Sequence, residues 1–584
     1  MRLVEIRLLE GPNVYRLGPT ARIELAVGRS RAWRGTREPR ARDVVHLAAT
    51  VAPRDWPDDV AAVAAWVRRL RADHGEGVGG VTVHRAPDPG RWVVTFAWSG
   101  AERARAIAEA AVALASRSVS PARRVHLTGA QELLLDRHTE QVSTAGTTPP
   151  AMIRDAERRI PIVSISGTNG KSTVTRLISH ILVEAGRKVG TTTSDGILVD
   201  ERLVEPGDWT GPGGAATILG RADVEVAVLE TARGGILLRG VGYESNEASI
   251  VTNISSDHLD LQGIHTLPEL AEVKATICRI TRPDGWVVLN GDDRWVHPIA
   301  GRVRARVALF SLDPTEPPAV RRHRAGGGRC YLVRRDELIE EEAGSRTAIC
   351  DVAEIPIALG GLAPHNVANA LAAAGGARAL GATIEEVAEG LRSFRPSTER
   401  SPGRLNIFRL GTRTIIVDFA HNEAGVEAIL DVATSIAGGA AARTAPVTAI
   451  VGTAGDRPYD TLTGIGRIAA RRADRVVVKE TRKYLRGRDR EEVVALLAAG
   501  IREVRPAEDV PVYASETEAL RAELAIVPTD ASGRPESARV IVLLCQEERD
   551  EVIGLLTSLG ARPIDTVEEL TELVPRLQDR PRRG

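Results

Sequence analysis

The sequence predicts a multidomain α/β protein: a small α+β N-terminal domain, a central domain with a phosphate-binding loop (P-loop) and a mostly parallel sheet, and a Rossmann-like C-terminal domain. Three observations support this prediction. The chain has 584 residues, too many for one ordinary domain. A first region with strand-like alternation is followed by two separate series of apolar strands and helical segments. A glycine-rich turn that ends in Gly-Lys-Ser lies at the start of the first series.

Residues 1–126 are predicted to form the α+β domain. Five segments alternate apolar and polar side chains as strands do, namely "RLVEIRLLE", "ARIELAVG", "DVVHLAAT", "GVTVHRA" and "RWVVTFAW". Two segments space apolar residues as helices do, namely "PDDVAAVAAWVRRLRADHG" and "GAERARAIAEAAVALASRS". Residues 127–158 are polar and contain "STAGTTPP", so we expect a linker there.

Two series of strands predict the other two domains. In residues 159–404 the strand segments are apolar on both faces, as in a covered parallel sheet, namely "PIVSIS", "VEVAVLE", "ASIVTNI" and "GWVVLN". The segment "RAGGGRCYLVRRDELIEEEAGS" departs from this alternation of strands and helices, and it predicts a hairpin insertion. In residues 405–584 a second series predicts the Rossmann-like domain, namely "RTIIVDFA", "PVTAIVGT", "DRVVVKE", "VPVYAS" and "RVIVLLC".

Composition and charge argue against several classes of function. The 77 basic residues balance the 77 acidic ones, so bulk charge does not indicate a nucleic acid or a membrane as partner. Signal-peptide and membrane-spanning apolar runs are missing from the sequence, which predicts a cytoplasmic protein. The cysteines lie far apart, so we expect reduced, buried thiols and neither disulfides nor a zinc site: Cys278, Cys330, Cys350 and Cys545.

The segment "PIVSISGTNGKSTVTRLISHILVEAG" reads as a strand, a turn and a long helix. Backbone N–H groups, the helix dipole and one ammonium would all face an anion there. We expect Lys171 to reach the β- and γ-phosphates of ATP and the Ser172 hydroxyl to bind Mg²⁺. Ile165 stands where the strict Walker pattern requires glycine, so a chance glycine-rich turn is the alternative. The predicted nucleotide-binding residues of this loop are Gly167, Thr168, Asn169, Gly170, Lys171, Ser172 and Thr173.

Acidic residues follow two of the predicted strands. Glu230 ends "VAVLE", and Asp257 with His258 follows "IVTNI". Strand ends of an α/β sheet form its ligand crevice, and magnesium prefers oxygen ligands. The alternative is that each residue only caps a helix or forms a turn.

"GTNGKS" resembles the phosphate loop of the Mur ligase family. The resemblance implies that Glu230 and His258 bind magnesium. It implies nucleotide contacts for Asn290 in "VLNGDD", for Arg404 in "PGR", and for Asp418 and His421 in "VDFAHN". "GLAPHNVANALAA" is similar to a further family motif, which contains His365, Asn366 and Asn369.

Lys274 is one of five lysines in a chain whose other basic residues are arginine. A buried lysine can lose its proton near neutral pH, whereas arginine cannot. A neutral amine can add CO₂ and become a carbamate, a carboxylate on a long stem that is suited to bind magnesium. The Mur ligase resemblance places a carbamylated lysine in this region, so Lys274 is a candidate; a surface lysine is the alternative.

Several motifs are similar to those of the cyanophycin synthetase family, including "LLEGPNVYRLGP", "GDWTGP", "LETARGGILLRG" and "YLRGR". That family has an ATP-grasp domain where this chain has only the predicted linker. The resemblance implies an ATP-dependent ligase that makes an acyl phosphate and joins it to an amino acid, with arginine on aspartate side chains as one form. It also implies a carboxylate acceptor such as an aspartate-containing peptide, and a homodimer. Loop residues expected at the substrates are Thr192, Thr193, Asp195, Thr210, Arg233, Arg486 and Arg488.

Two other interpretations stay open. One is a Mur ligase of another pathway, of peptidoglycan or folyl type. The other is a non-catalytic scaffold subunit that binds a nucleotide. The predicted catalytic residues are Lys171, Glu230, His258 and Lys274. Their presence together with Ser172 and Asp418 disfavours the scaffold.

Overall fold

The structure is a computed structural model of the chain. It describes residues 1–28, 49–77, 79–121, 127–257, 259–438, 445–455, 457–485, 487–526 and 538–573. Within these ranges, no helix combines the length and apolar character that a membrane crossing requires. All four cysteines are buried and free, as the sequence predicts.

The N-terminal unit is a four-stranded antiparallel sheet with strand order β1-β2-β4-β3. Two helices cover one of its faces because their apolar stripes pack on Phe96 and Trp92. The strands are β1 Arg2–Leu9, β2 Thr20–Ala26, β3 Thr82–Arg85 and β4 Arg91–Ala97, and the helices are α1 Asp58–Asp73 and α2 Ala101–Ser116. The predicted strand "DVVHLAAT" lies largely outside the described residues.

The prediction of a linker over residues 127–158 is wrong for its first half. Helix α3, Gly129–Thr144, begins at a capping box in which Thr128 and Gln131 exchange hydrogen bonds. Leu135 and Val142 are its buried residues, and they join the N-terminal core. Two apolar residues seven positions apart leave most of the helix polar, so its sequence resembles a linker.

The central lobe contains an eleven-stranded sheet with the order β15-β14-β13-β12-β11-β10-β5-β9-β6-β7-β8. From β13 to β6 all neighbours are parallel, as predicted, and antiparallel hairpins extend both edges. The strands are β5 Ile162–Ser166, β6 Val189–Thr192, β7 Gly196–Val199, β8 Arg202–Pro206, β9 Val226–Glu230, β10 Asn246–Val251, β11 Thr281–Asn290, β12 Arg306–Ser311, β13 Arg329–Arg334, β14 Glu337–Glu342 and β15 Ser345–Asp351.

Helices cover both faces of this sheet and produce two apolar cores. The predicted hairpin is present as β13 and β14, and it continues the sheet because β13 pairs with β12. The helices are α4 Lys171–Glu184, α5 Pro212–Leu219, α6 Arg233–Leu238, α7 Leu267–Lys274, α8 Thr276–Arg279, α9 Pro318–Ala325, α10 Pro364–Ala379 and α11 Ile384–Ser393.

The C-terminal lobe has a seven-stranded sheet with the order β20-β19-β18-β21-β17-β16-β22. Its first five strands are parallel, with helices between them, so the predicted multidomain α/β fold class is confirmed. The strands are β16 Asn406–Leu410, β17 Arg413–Asp418, β18 Val447–Val451, β19 Arg475–Lys479, β20 Val512–Tyr513, β21 Arg539–Leu544 and β22 Arg562–Ile564. The helices are α12 Glu423–Ile436, α13 Tyr459–Arg472, α14 Arg490–Val504, α15 Glu516–Ala525, α16 Arg549–Ser558 and α17 Val567–Leu573.

Candidate active site

The glycine-rich turn lies between β5 and α4 and leads directly into the N-terminus of α4. Gly170 has φ of 85°, and a Cβ there would lie 2.3 Å from Asn369 Oδ1. A Cβ on Gly167 would lie 1.9 Å from Thr252 Oγ1. Both positions therefore require glycine, and the turn presents backbone N–H groups at the positive end of the helix.

Residues after β10 hold this turn in place. The backbone N–H of Asn169 donates to Asn253 Oδ1 at 2.9 Å, and that of Thr168 donates to Asn253 O at 2.9 Å. Thr252 Oγ1 donates to Asn169 O at 2.6 Å. The sequence did not predict that Thr252 and Asn253 hold the turn, because only the parallel pairing of β10 with β5 makes them its neighbours.

Glu230 at the end of β9 is 3% exposed, and its Oε2 has no hydrogen-bond partner. Burial raises the pKa of its carboxyl, against the charge of Lys171 and a hydrogen bond from Ser172. A buried carboxylate oxygen without a partner beside a hydroxyl fits a magnesium ion. Among the described residues no group of three His, Cys, Asp or Glu gathers as a metal site, and the predicted ligand His258 lies outside them.

Lys274 ends α7 and is 5% exposed, so the alternative of a surface lysine is wrong. Burial, followed by the charge of Lys171, holds the pKa of its amine well below the usual range. Asp257 acts in the opposite direction, and Arg233 lowers this pKa further. The structure thus brings the two lysines that the sequence singled out into one electrostatic environment.

A cavity of about 310 Å³ lies beside the turn, between the central and C-terminal lobes. Asn169 and Gly170 of the turn and Thr173 of α4 line it. The predicted nucleotide residues Asn290, Arg404, Asp418 and His421 also line it, as do three residues of the further family motif: His365, Asn366 and Asn369. Burial lowers the pKa of His365 to about 4, so its ring is neutral near pH 7. Its Nδ1 has no protein partner and is available to a ligand in the cavity.

Two of the predicted nucleotide residues on the C-terminal side are held by local contacts. Asp418 accepts the backbone N–H groups of Leu405 and Ala420, each at 2.7 Å. Burial raises the pKa of this carboxyl, while the nearby Arg404 lowers it. The Arg404 guanidinium lies 4.4 Å from the Phe419 ring centre, and its Nε has no hydrogen-bond partner.

Asp195, predicted as a substrate residue, joins the two lobes. Its Oδ2 accepts Arg176 of α4 at 3.0 Å, and its Oδ1 accepts Arg549 of α16 at 2.9 Å. Burial would raise the pKa of Asp195, but Arg404, Arg176 and Arg549 outweigh it and keep this pKa below its ordinary value. The contact of Arg549 was not predicted from the sequence, because Arg549 is 354 positions from Asp195.

The other predicted substrate residues occupy two regions. All three threonines are buried. Thr192 ends β6, Thr193 follows it, and Thr210 lies just before α5. Arg233 begins α6 and donates to Leu261 O at 3.2 Å. Arg488 belongs to the C-terminal lobe, where it pairs with Glu492 and lies over Tyr459, whereas Arg486 is not among the described residues.

A second unpredicted contact between the lobes involves two amides. Asn422 Nδ2 donates to Asn169 Oδ1 at 2.9 Å, and Asn169 Nδ2 donates to Asn422 Oδ1 at 3.2 Å. Asn422 also caps helix α12, since its Oδ1 accepts the N–H of Gly425. This amide pair joins the phosphate-binding turn to the C-terminal lobe.

Comparison with known proteins identifies the family. Residues 165–377 match the Mur ligase middle domain, and residues 403–566 match the Mur ligase glutamate ligase domain. The chain belongs to the Mur ligase family. Both matches coincide with the lobes that enclose the cavity, so the predicted resemblance is confirmed.

This Mur ligase family chain is 40% identical over 375 residues to the cyanophycin synthetase of Trichormus variabilis. The match covers 64% of the chain but only 40% of that relative. A UDP-N-acetylmuramoyl-L-alanyl-D-glutamate–2,6-diaminopimelate ligase of Alkalilimnicola ehrlichii is 28% identical over 377 residues, 63% of this chain and 69% of that ligase.

A solved structure shows the same fold. Mycobacterium tuberculosis folylpolyglutamate synthase, complexed with ADP and AMPPCP, superposes with a TM-score of 0.51 at 21% identity. The superposition covers 70% of this Mur ligase family chain and 92% of the synthase.

Proposed function

We propose that this protein is an ATP-dependent ligase that phosphorylates a substrate carboxylate and joins the resulting acyl phosphate to the amine of an amino acid. One observation carries the proposal. Lys171 interacts electrostatically with the carboxyl of Glu230, which has one unpaired oxygen, and with the buried amine of Lys274, and Lys171 directly follows Gly170, which lines the cavity between the two lobes. Acyl-phosphate chemistry needs this combination of phosphate binding, metal ligands and exclusion of water.

In the first step, a carboxylate oxygen of the acceptor attacks the γ-phosphorus of ATP in line, and ADP leaves. The turn's backbone N–H groups and Lys171 neutralise charge on the transferring phosphoryl group. Magnesium, held by Ser172 and Glu230 with His258 and carbamylated Lys274 as further predicted ligands, would supply a Lewis acid to the phosphoryl oxygens.

In the second step, the amine nitrogen attacks the acyl carbon. The C–N bond forms, the C–O bond to the phosphate breaks, inorganic phosphate leaves, and the amine releases one proton. No nucleophilic serine or cysteine is required, because positioning and electrostatics supply the catalysis. Contacts between the lobes through Asp195 and Asn169 support a closed site in which water does not reach the acyl phosphate.

Arginine is the first amine to test and an aspartate-containing peptide the first acceptor. The similarity to cyanophycin synthetases over the ligase lobes supports this choice. The chain has no ATP-grasp-like segment between its N-terminal unit and its central lobe, so we expect side-chain ligation without extension of an aspartate backbone.

A phosphate-release screen tests the proposal. Purified protein is given ATP, magnesium, one amino acid at a time and short aspartate-rich peptides. We expect release that requires both the acceptor and the amine, and complete loss with Lys171→Ala. Lys188→Ala is the matched control, since this lysine side chain is 62% exposed. Binding of ATP without release for any pair would support the scaffold alternative and reject the ligase.

A further inference from the structure

The N-terminal motif "EGPN" contacts a segment of the central lobe. This segment begins next to the candidate active site, and the motif contacts its far end. The acceptor loop, defined here as residues 231–243, follows Glu230 and contains Arg233. Its first residues are fixed by the catalytic sheet, because Thr231 N–H donates to Ile165 O at 2.7 Å. Its far end meets residues 10–14, which we call the N-terminal clip.

Two backbone hydrogen bonds join the clip to the acceptor loop. The N–H of Glu10 donates to Arg239 O, and the N–H of Val241 donates to Pro12 O, both at 2.7 Å. The side chains of Glu10 and Arg239 also pair at 3.1 Å. Val14 packs in the same apolar core as Val241, so polar and apolar contacts act together.

The contact requires glycine on both sides. A Cβ on Gly11 would lie 1.8 Å from the carbonyl oxygen of Val241. Gly240 has φ of 82°, and a Cβ there would lie 2.6 Å from Gly11 O. The two backbones approach more closely than any side chain permits, so the position of the loop depends on the clip.

Asn13 gives the clip its shape. Its side chain is 1% exposed and donates to Gly11 O at 2.9 Å, to Gly18 O at 3.1 Å and to Thr20 Oγ1 at 3.0 Å. Its Oδ1 accepts the backbone N–H of Tyr15 at 2.9 Å. One buried amide thus holds the turn that follows β1 and fixes the clip to the N-terminal sheet.

Helix α6 between the two anchors is short, and Ile236 is its buried residue. It has six residues and no side-chain cap at its N-terminus. A helix this short is unstable in isolation, so its anchors determine where it lies. Arg233, its first residue, donates to Leu261 O at 3.2 Å.

We propose that the N-terminal clip is a positioning element that holds the acceptor loop, and with it Arg233, in place for the acceptor carboxylate. This rests on the proposed ligase function. Asp88 of the N-terminal unit, 3.3 Å from His265, contacts the neighbouring segment that contains Leu261 and adds a second support. In this proposal the N-terminal unit contributes to the ligase site by supporting the acceptor loop.

Gly11→Ala tests this proposal, with Gly18→Ala as the matched control because a Cβ at Gly18 meets no atom within 4 Å. We expect Gly11→Ala to raise the acceptor KM about tenfold and to leave the ATP KM within about twofold. Gly18→Ala should change neither. Equal KM values for the two variants, or an equal rise in the ATP and acceptor KM values, would overturn the proposal.

Hydrogen–deuterium exchange of the ligand-free full chain gives a readout that does not require ligase activity. We expect faster exchange in residues 233–241 of Gly11→Ala than of Gly18→Ala. Unchanged exchange rejects the positioning role. A wild-type protein without acceptor-dependent phosphate release rejects the proposed function instead, so the two failures are distinguishable.

Arg7→Met is the second variant, in case Gly11→Ala does not fold. Arg7 donates to Leu237 O at 3.2 Å, and methionine removes this bond without adding bulk against the loop. We expect a rise of about threefold in the acceptor KM at an unchanged ATP KM. Arg7 lies in β1, next to the clip, so an unchanged acceptor KM in Arg7→Met, with a Gly11→Ala that does not fold, would overturn the proposal that the N-terminal unit positions the acceptor loop.

Discussion

Lys274 shows how a single side chain can reveal the chemistry of a site. It is one of only five lysines in the chain, and its burial beside Lys171 lowers the pKa of its amine, which favours the neutral form that CO₂ addition requires. A guanidinium at this position would stay charged and could not form the carbamate. The carbamate itself remains a prediction.

Lys274→Arg should therefore lower amine-dependent phosphate release about 100-fold while ADP still binds. Lys274→Ala should lose as much but recover in part with added acetate, because a small carboxylate can enter the space that the side chain leaves. Acetate should not restore Lys274→Arg, whose side chain fills that space. Full activity of Lys274→Arg would exclude a carbamate role.

The ion pairs of Asp195 should make the stability of the protein depend on pH. The pKa of Asp195 lies below the ordinary value of 3.8, so the stabilisation from its arginine pairs is fully present above that value. It disappears as the pH falls through the lower folded-state pKa. Asp195→Asn should lower the free energy of unfolding by about 2 kcal/mol at neutral pH. In urea titrations, the difference from wild type should shrink with acidification below pH 3.8; a constant difference would contradict this assignment.

Among the elements, the phosphate-binding strand, turn and helix were predictable from the sequence, because all their defining residues are adjacent in the chain. Helix α3 was not, since Leu135 and Val142 are buried only by contact with the N-terminal core. The amide pair of Asn169 and Asn422 joins residues 253 positions apart, a distance at which no local pattern operates. The sequence therefore predicted the sites formed by neighbouring residues, but it did not predict these contacts between distant elements.

Helix α12 offers a way to separate stability from nucleotide binding. Asn422→Ser keeps an oxygen that can cap the helix but loses the amide pair with Asn169, whereas Asn422→Ala loses both. We expect Asn422→Ala to cost about 1 kcal/mol of stability and Asn422→Ser much less. Both should raise the ATP KM to the same extent. Urea unfolding and steady-state kinetics check this, and a wild-type ATP KM in Asn422→Ser would argue against the amide pair.

A buried cluster supports the loop between β21 and α16, directly before Arg549. Glu516 accepts the ammonium of Lys479 at 2.6 Å and the backbone N–H groups of Gln546 and Glu548 at 2.7 and 2.8 Å. The pair is almost fully buried, so this loop is held rigidly at the carboxyl end of β21. Arg549 therefore meets the central lobe from a fixed position.

Across the whole molecule, one group of charges between the lobes involves three elements, and Asp257 forms a separate pair with Arg457 of the C-terminal lobe at 3.3 Å. Asp195 lies on the turn after β6, Arg176 on α4 and Arg549 on α16. The Arg549–Asp195 pair is the member of this group that spans the two lobes, and Arg549 also donates to Pro402 O at 3.5 Å in the connection between them. Its loss should favour separated lobes without unfolding either one.

Arg549→Ala should accordingly increase the radius of gyration of the ligand-free protein in small-angle X-ray scattering. It should also raise the ATP KM about fivefold, because part of the binding energy of ATP must then be used to close the lobes. Saturating ATP analogue with magnesium should return the radius to the wild-type value. Arg502→Ala, on the exposed face of α14, is the matched control and should change neither quantity. If Arg549→Ala scatters like wild type and keeps its ATP KM, the charge group does not govern closure, and the amide pair of Asn169 and Asn422 becomes the contact to test next.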